Sequence, residues 1–312
     1  MAMTHESVRS NFSHKHQSWV GDSDIEEGVH DVKHTDKIRV LSPGVVVAYS
    51  SARGDNYPPQ NVRDDIVNAA AVARKIMRAA VAKFDKVVFF RRPEGEPFTS
   101  IVNYHFGLDA ARGGSLDSNV VDAPLSLKSM RENNRRTVLN KIRMGMLSVS
   151  FHLNTGVYLV DIDADNRTIH SGRQTGATDP RNVLTHGYVS QPKEKSVNLF
   201  GQKFTILERG TSMQQGLFSG IRNGEIHINF NKMHTGGYTH QAAARVIIHE
   251  ACHKYWGVDD HKYGWEAGYD NLSIEELLDN ADSYAWAALS IEAGHLIKGT
   301  SSRDSANTGT HA

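Results

Sequence analysis

HEACHKYWGVDDHKYG, residues 249–264, sets three histidines, an acid beside the first of them, two aspartates and two tyrosines within sixteen positions. In HEACH, His249 and His253 stand at i and i+4. On a helix that spacing places two imidazoles one turn apart on one face. Both can then reach one Zn²⁺ at about 2.0–2.1 Å. Glu250 lies next to the first histidine, where a carboxylate can take a proton from a metal-activated water. The preceding ARVII (244–248) is apolar enough to anchor such a helix in a core.

A catalytic zinc takes three protein ligands and keeps one position open. Spacing offers several candidates for the third: Asp260 beyond the Gly257 turn, Glu275 or Glu276 on the following helix, and Asp282 further along it. An acid on the Ala- and Leu-rich face that carries Asp282 needs a partner, which also fits it to orient a metal-bound histidine.

Outward from this stretch, Thr239 is a natural N-cap for a helix through QAAARVIIHEACHKYW, and Gly257 ends it. GEIHINF (224–230) alternates apolar and polar residues as a half-buried strand does, and is expected to be an edge open to an extended substrate. Ser273 and Glu276 form a capping-box pattern opening a helix that runs to about Ala293. Upstream, Val62, Ile66, Ala69, Ala73, Ile76 and Ala80 share one face of a long helix. VVFF (87–90) reads as a strand or buried segment, 126–150 as a second helix, and GVYLVDID (156–163) as a strand. Residues 164–215 read as long loops with short strands.

The polar, His-rich residues 1–60 are expected to form an extension, and 298–312 a tail, around a domain at 61–297. His5, His14, His16, His30 and His34 of that extension are given no site.

The whole chain has 312 residues, with 35 Lys and Arg against 35 Asp and Glu, so overall charge favours neither nucleic acid nor an acidic surface. The basic run 131–143 carries Val138, Leu139 and Ile142 at helical spacing, and reads as the solvated face of an amphipathic helix. A single cysteine, Cys252, excludes an intrachain disulfide; at a free position of HEACH it reads as a small buried residue. No apolar run approaches the ~20 residues of a membrane span, and the first residues lack a signal-peptide core. The expectation is a soluble chain, cytoplasmic or exported by a specialised route as effectors and toxins are.

GVDDHKYG (257–264) resembles the GTxDxxYG element that follows HExxH in the aspzincins, the deuterolysin and peptidyl-Lys metalloendopeptidase family. NADSYAW (280–286) resembles that family's second element, NADxY followed by aromatic residues. NYHFG (103–107), THGYV (185–189) and GEIHINF fit the same order more weakly. The chain looks like a divergent bacterial-type member, with the similarity spanning roughly 62–296.

The resemblance implies an α+β, zincin-like metalloprotease with a helical N-terminal part, a small twisted sheet and the HExxH active-site helix. It implies one catalytic Zn²⁺ on His249, His253 and Asp260, with Glu250 as the catalytic base and Tyr263 as donor to the oxyanion. Asp282 matches an acid that helps line the S1′ pocket of lysine-specific members. Their second acid is replaced here by Ala285, so strict lysine selectivity is not expected. Val258 stands where the motif has Thr, and the loop from His253 to Asp260 is shorter than the family's usual one.

The activity expected is zinc-dependent endopeptidase action on a polypeptide substrate. The rivals are a narrow-target zinc hydrolase such as a cell-wall amidase, and a non-catalytic protein that uses zinc as a clip. His261, Asp259 and Glu266 are expected at the surface.

Overall fold

The structure is a computed structural model that describes residues 37–49, 54–108, 127–161, 187–188, 193–199, 202–208 and 225–300. Residues 1–36 and 301–312, and most of the 164–215 loop region, lie outside the described residues. Among the described residues no helix is long and apolar enough to cross a membrane.

The described residues have an α+β architecture. Strands β1 (Lys37–Ser42), β2 (Val45–Tyr49), β3 (Val157–Asp161), β4 (Gly187–Tyr188) and β7 (Glu225–Ile228) form one sheet in the order β1-β2-β3-β7-β4. Strands β5 (Lys193–Leu199) and β6 (Gln202–Glu208) form a separate antiparallel hairpin. The inner pairs β2–β3 and β3–β7 are parallel, and β1 and β4 close the two edges antiparallel.

A parallel centre buried on both faces calls for continuous apolar strands. VVVAY of β2 meets that demand, with all five residues buried. Chain that reads as polar extension is therefore built into the sheet, and a hairpin precedes the expected helical part. At the other end, Lys298 lies over the Tyr104 ring and Gly299 sits against Trp286, so the folded domain runs past residue 297.

The strand GEIHINF is also not an edge. β7 lies inside the sheet between β3 and the two-residue β4. Alternation alone shows two unlike faces, not the number of neighbours a strand has.

Helix α1 (Gln60–Phe84) buries Val62, Ile66, Ala69, Ala73, Ile76 and Ala80 on one stripe, as their spacing predicts. Helices α2 (Phe98–Phe106) and α3 (Leu127–Thr155) follow, and α1 packs against α3. VVFF is neither a strand nor wholly buried. α1 continues into a π-helical turn at Asp85–Phe89, which turns Val87 and Val88 inward and leaves Phe89 and Phe90 in solvent. A run of four apolar residues on a helical path cannot point to one side.

After α4 (Phe230–Thr235) comes α5 (His240–Tyr255), which carries HEACH and packs against α1, β7 and the last helix. Thr239 caps it by accepting the N–H of Ala242 at 3.1 Å, and Gly257, at φ 76°, lets the chain turn away. Thirteen of its sixteen residues are buried, so this helix is nearly enclosed by neighbours.

The single helix expected from Ser273 to Ala293 is two. The capping box at Ser273 and Glu276 opens α6 (Ile274–Leu278), and α7 (Ala281–Ala293) starts afresh after Asn280. Asn280 lies in the β region, where Asp259 N–H donates to Asp279 O at 2.8 Å and Ala281 N–H donates to Asp259 O at 2.9 Å. The helix breaks there to pair its backbone with the loop after HEACH.

Candidate metal centre

On α5 the i, i+4 spacing turns His249 and His253 to one face, with their Nε2 atoms 3.1 Å apart. Asp260 Oδ1 comes back to both, 3.2 Å from His249 Nε2 and 3.3 Å from His253 Nε2. Among the described residues these three form the one cluster of His, Cys, Asp or Glu whose ligand atoms converge closely enough to hold a metal ion.

The other ring nitrogens fix what those atoms can do. His253 Nδ1 is 2.6 Å from the carbonyl oxygen of Val258, which can only accept, so Nδ1 carries the proton. His249 Nδ1 is 2.7 Å from Asp282 Oδ1. Asp282 also accepts Gly264 N–H at 2.6 Å and Trp286 Nε1–H at 3.1 Å, so it is a carboxylate acceptor and His249 Nδ1 is the donor. In neutral imidazoles both Nε2 atoms then present lone pairs. Two lone pairs and a carboxylate oxygen within 3.3 Å repel one another unless a cation or protons lie between them. The donor set therefore fits a metal ion.

Proton affinities follow the same geometry. Burial alone would lower the pKa of His249, but its hydrogen bonds to Asp260 and Asp282 outweigh burial and hold it well above 6.5. His253 is raised too, burial opposing and Asp260 prevailing. Burial works against ionisation of Asp260 as well, yet its two histidine partners keep the carboxyl far below the usual range.

A metal must displace these protons. Raised histidine pKa values mean that the protons are still bound above pH 6.5, so metal affinity falls as pH falls. The expected loss is about tenfold per pH unit for each proton displaced. Chelator competition across pH 5.5–8 measures it, and a flat profile would mean that these histidines are not the ligands.

Glu250, beside His249, is buried. Burial pushes its carboxyl up to about 7, while the adjacent imidazoles pull it down. Tyr263 stacks on His249 with ring centroids 5.8 Å apart, and on Trp265 at 4.8 Å. Burial and the nearby carboxylates keep its phenol protonated beyond its ordinary range. Tyr263 and the carboxylate of Asp260 both reach solvent, which leaves this side of the cluster open.

The remaining candidates are placed elsewhere. Glu276 closes the capping box by accepting Ser273 N–H at 2.8 Å, and Glu275 is exposed. Asp282 is fully buried and stands behind His249. Cys252 is buried, and burial pushes its thiol pKa up. Asp259, His261 and Glu266 are exposed.

Three contributors escape a reading of the sequence. Asn280 ties down the ligand loop: its Oδ1 accepts His261 N–H at 3.0 Å, and its Nδ2–H donates to Lys262 O at 2.9 Å. Arg245, buried on α5, sits 3.6 Å from Asp282 and lies between the rings of Trp286 and Trp265. It balances the charge of the buried Asp282. Gly264 brings its backbone N–H to that same acid where no side chain fits: a Cβ there would lie 2.4 Å from Trp286 Nε1.

Gly264→Ala is thus expected to push Trp286 and the loop apart, with a stability loss of about 1–3 kcal/mol and weaker metal binding. Urea unfolding and chelator competition read both effects. Unchanged values would show that the loop yields freely.

Asn280 opens NADSYAW, the segment that also carries Asp282, yet nothing in that segment shows that it interrupts a helix. Nothing in ARVII distinguishes a buried arginine from an exposed one. Comparisons of the chain with protein-family models, with curated proteins and with solved structures each found no match.

Proposed function

We propose that this chain is a zinc-dependent endopeptidase of the aspzincin type, with a zincin-like active-site helix in α5. The observation that carries this reading is the convergence of His249 Nε2, His253 Nε2 and Asp260 Oδ1 beside a buried glutamate that no structural clip requires. Two imidazoles and one carboxylate suit zinc, and three protein ligands suit a catalytic site with an open position.

When bound, zinc supplies Lewis acidity, polarising a scissile carbonyl and making an attacking water easier to deprotonate. The protein does the rest. Glu250, near neutrality and next to the ligands, takes the proton of the attacking water and returns it to the departing amine. The Tyr263 hydroxyl, held protonated, donates to the oxyanion that develops on the carbonyl. Asp282, with Arg245 behind it, keeps His249 in the ligand tautomer. Since β7 is an inner strand, the edge offered to an extended substrate is β4, which contacts α5.

The test is cleavage of a proteome-derived peptide mixture by the zinc-loaded protein, with cut sites mapped by mass spectrometry. Cleavage is expected to vanish on chelation and to return with zinc. Stoichiometric zinc without any cut bond would overturn the peptidase reading.

A further inference from the structure

The turn between α1 and α2, which the hydrolase reading does not use, carries the most exposed large apolar side chains among the described residues. Phe89 is 69% exposed and Phe90 65%, in a protein whose other phenylalanines on α1 and α2 are buried. Phe89 ends the π-helical turn at Asp85–Phe89 and Phe90 follows as its cap, the two rings packed edge to face with centroids 5.1 Å apart. Two adjacent phenyl rings held in water are costly, so a binding partner is expected for them.

The side chains around them are cationic. Lys86, Arg91 and Arg92 are exposed on the same turn, and Arg136 comes alongside from α3 to donate to Val88 O at 2.8 Å. Of the three acids on this connection, Asp85 and Glu94 are occupied by Arg143 and Arg135, and Glu96, near the start of α2, accepts Ser100 Oγ–H at 2.6 Å. Beside Phe89 an open groove of ≈ 390 Å³ is lined by Val88, Arg91, Arg136, Asn140 and Arg143. Along the face of α3 that starts at Asn140, Met144, Leu147 and Phe151 follow at helical spacing, all exposed.

We propose that this turn and the adjoining face of α3 dock the protein on anionic lipid membranes. Phe89 and Phe90 enter the boundary between headgroups and acyl chains, and Lys86, Arg91, Arg92 and Arg136 hold lipid phosphates. The pairing of protruding aromatic rings with flanking cations is what interfacial binding demands.

Other anionic partners fit less well. Single-stranded nucleic acid needs ring faces on which bases stack. Here the two rings lie at 89° to each other, and the Arg143 guanidinium sits over Phe89 at 6.0 Å. An acidic peptide would use the cations without needing two adjacent phenyl rings 69% and 65% exposed.

The experiment is sedimentation of the full chain with phosphatidylcholine vesicles, with and without phosphatidylglycerol. Binding is expected with phosphatidylglycerol and is expected to weaken as salt is raised. Phe89→Ser with Phe90→Ser is expected to reduce the apparent affinity about tenfold or more. Arg91→Glu with Arg92→Glu is expected to reduce it about fivefold for each arginine. In Phe89→Trp, vesicle binding should shift the emission at position 89 to the blue and let brominated acyl chains quench it.

Undiminished binding by the serine pair, or a position 89 that stays unquenched, would leave only surface adsorption and overturn the proposal. So would binding to single-stranded DNA or polyglutamate at equal strength. These side chains lie in solvent, so the variants are expected to unfold at the wild-type temperature. Glu250→Gln should bind vesicles like the wild type, which separates this proposal from the fate of the hydrolase reading.

Discussion

Glu250→Gln is expected to keep its fold and its zinc while losing peptide cleavage by a factor of about 10² to 10⁴. The amide has the shape of the carboxylate it replaces and cannot accept the proton that the reaction must move. Glu250 is buried, and burial already lifts its carboxyl to about 7. A neutral amide there costs no charge burial, so stability should hold or rise slightly. Cleavage rate, zinc stoichiometry and urea unfolding measured on one preparation separate the outcomes. Cleavage at the wild-type rate would remove Glu250 from the chemistry, and lost zinc would make it part of the binding site.

The second large effect is expected at Asp282. Asp282→Ala removes an acid that receives His249 Nδ1–H, Gly264 N–H and Trp286 Nε1–H and lies 3.6 Å from the buried Arg245 guanidinium. Removing one partner of a buried charge pair costs about 3–5 kcal/mol, a large part of a typical domain's stability. Asp282→Asn is the finer probe. It keeps the volume but weakens the hold on His249, and metal affinity should fall about 10- to 100-fold. Urea unfolding and chelator competition measure the two quantities. Asp282→Asn with unaltered metal affinity would show that His249 is oriented by something else.

Much of this site is legible in the sequence because its ligands depend on local geometry. HEACH on a helix must turn His249 and His253 to one side, and Thr239 and Gly257 mark where that helix begins and ends. The stripe of α1 is equally local.

What is not legible depends on distant neighbours. Asn280 breaks a helix that local propensity would continue, because Asp259 and residues 261–262 pair with it from across the fold. Arg245 looks misplaced in an apolar run until Trp265, Trp286 and Asp282 surround it. VVVAY at 45–49 carries a buried-strand pattern, but polar sequence on either side hides it. The alternation in GEIHINF puts Ile226 and Ile228 on one buried face, as expected, and leaves the neighbours of β7 unknown.

The break at Asn280 also sets an order of events. The histidine pair lies on α5, but the loop that brings Asp260 to it is held by Asn280, and the acid that orients His249 is at the start of α7. A chain emerging from its N-terminus makes the two histidines well before their buttress exists. The geometry at Asp260 thus rests on residues made after the histidines: a growing chain holds His249, Glu250 and His253 before Asn280 and Asp282 have been added to it.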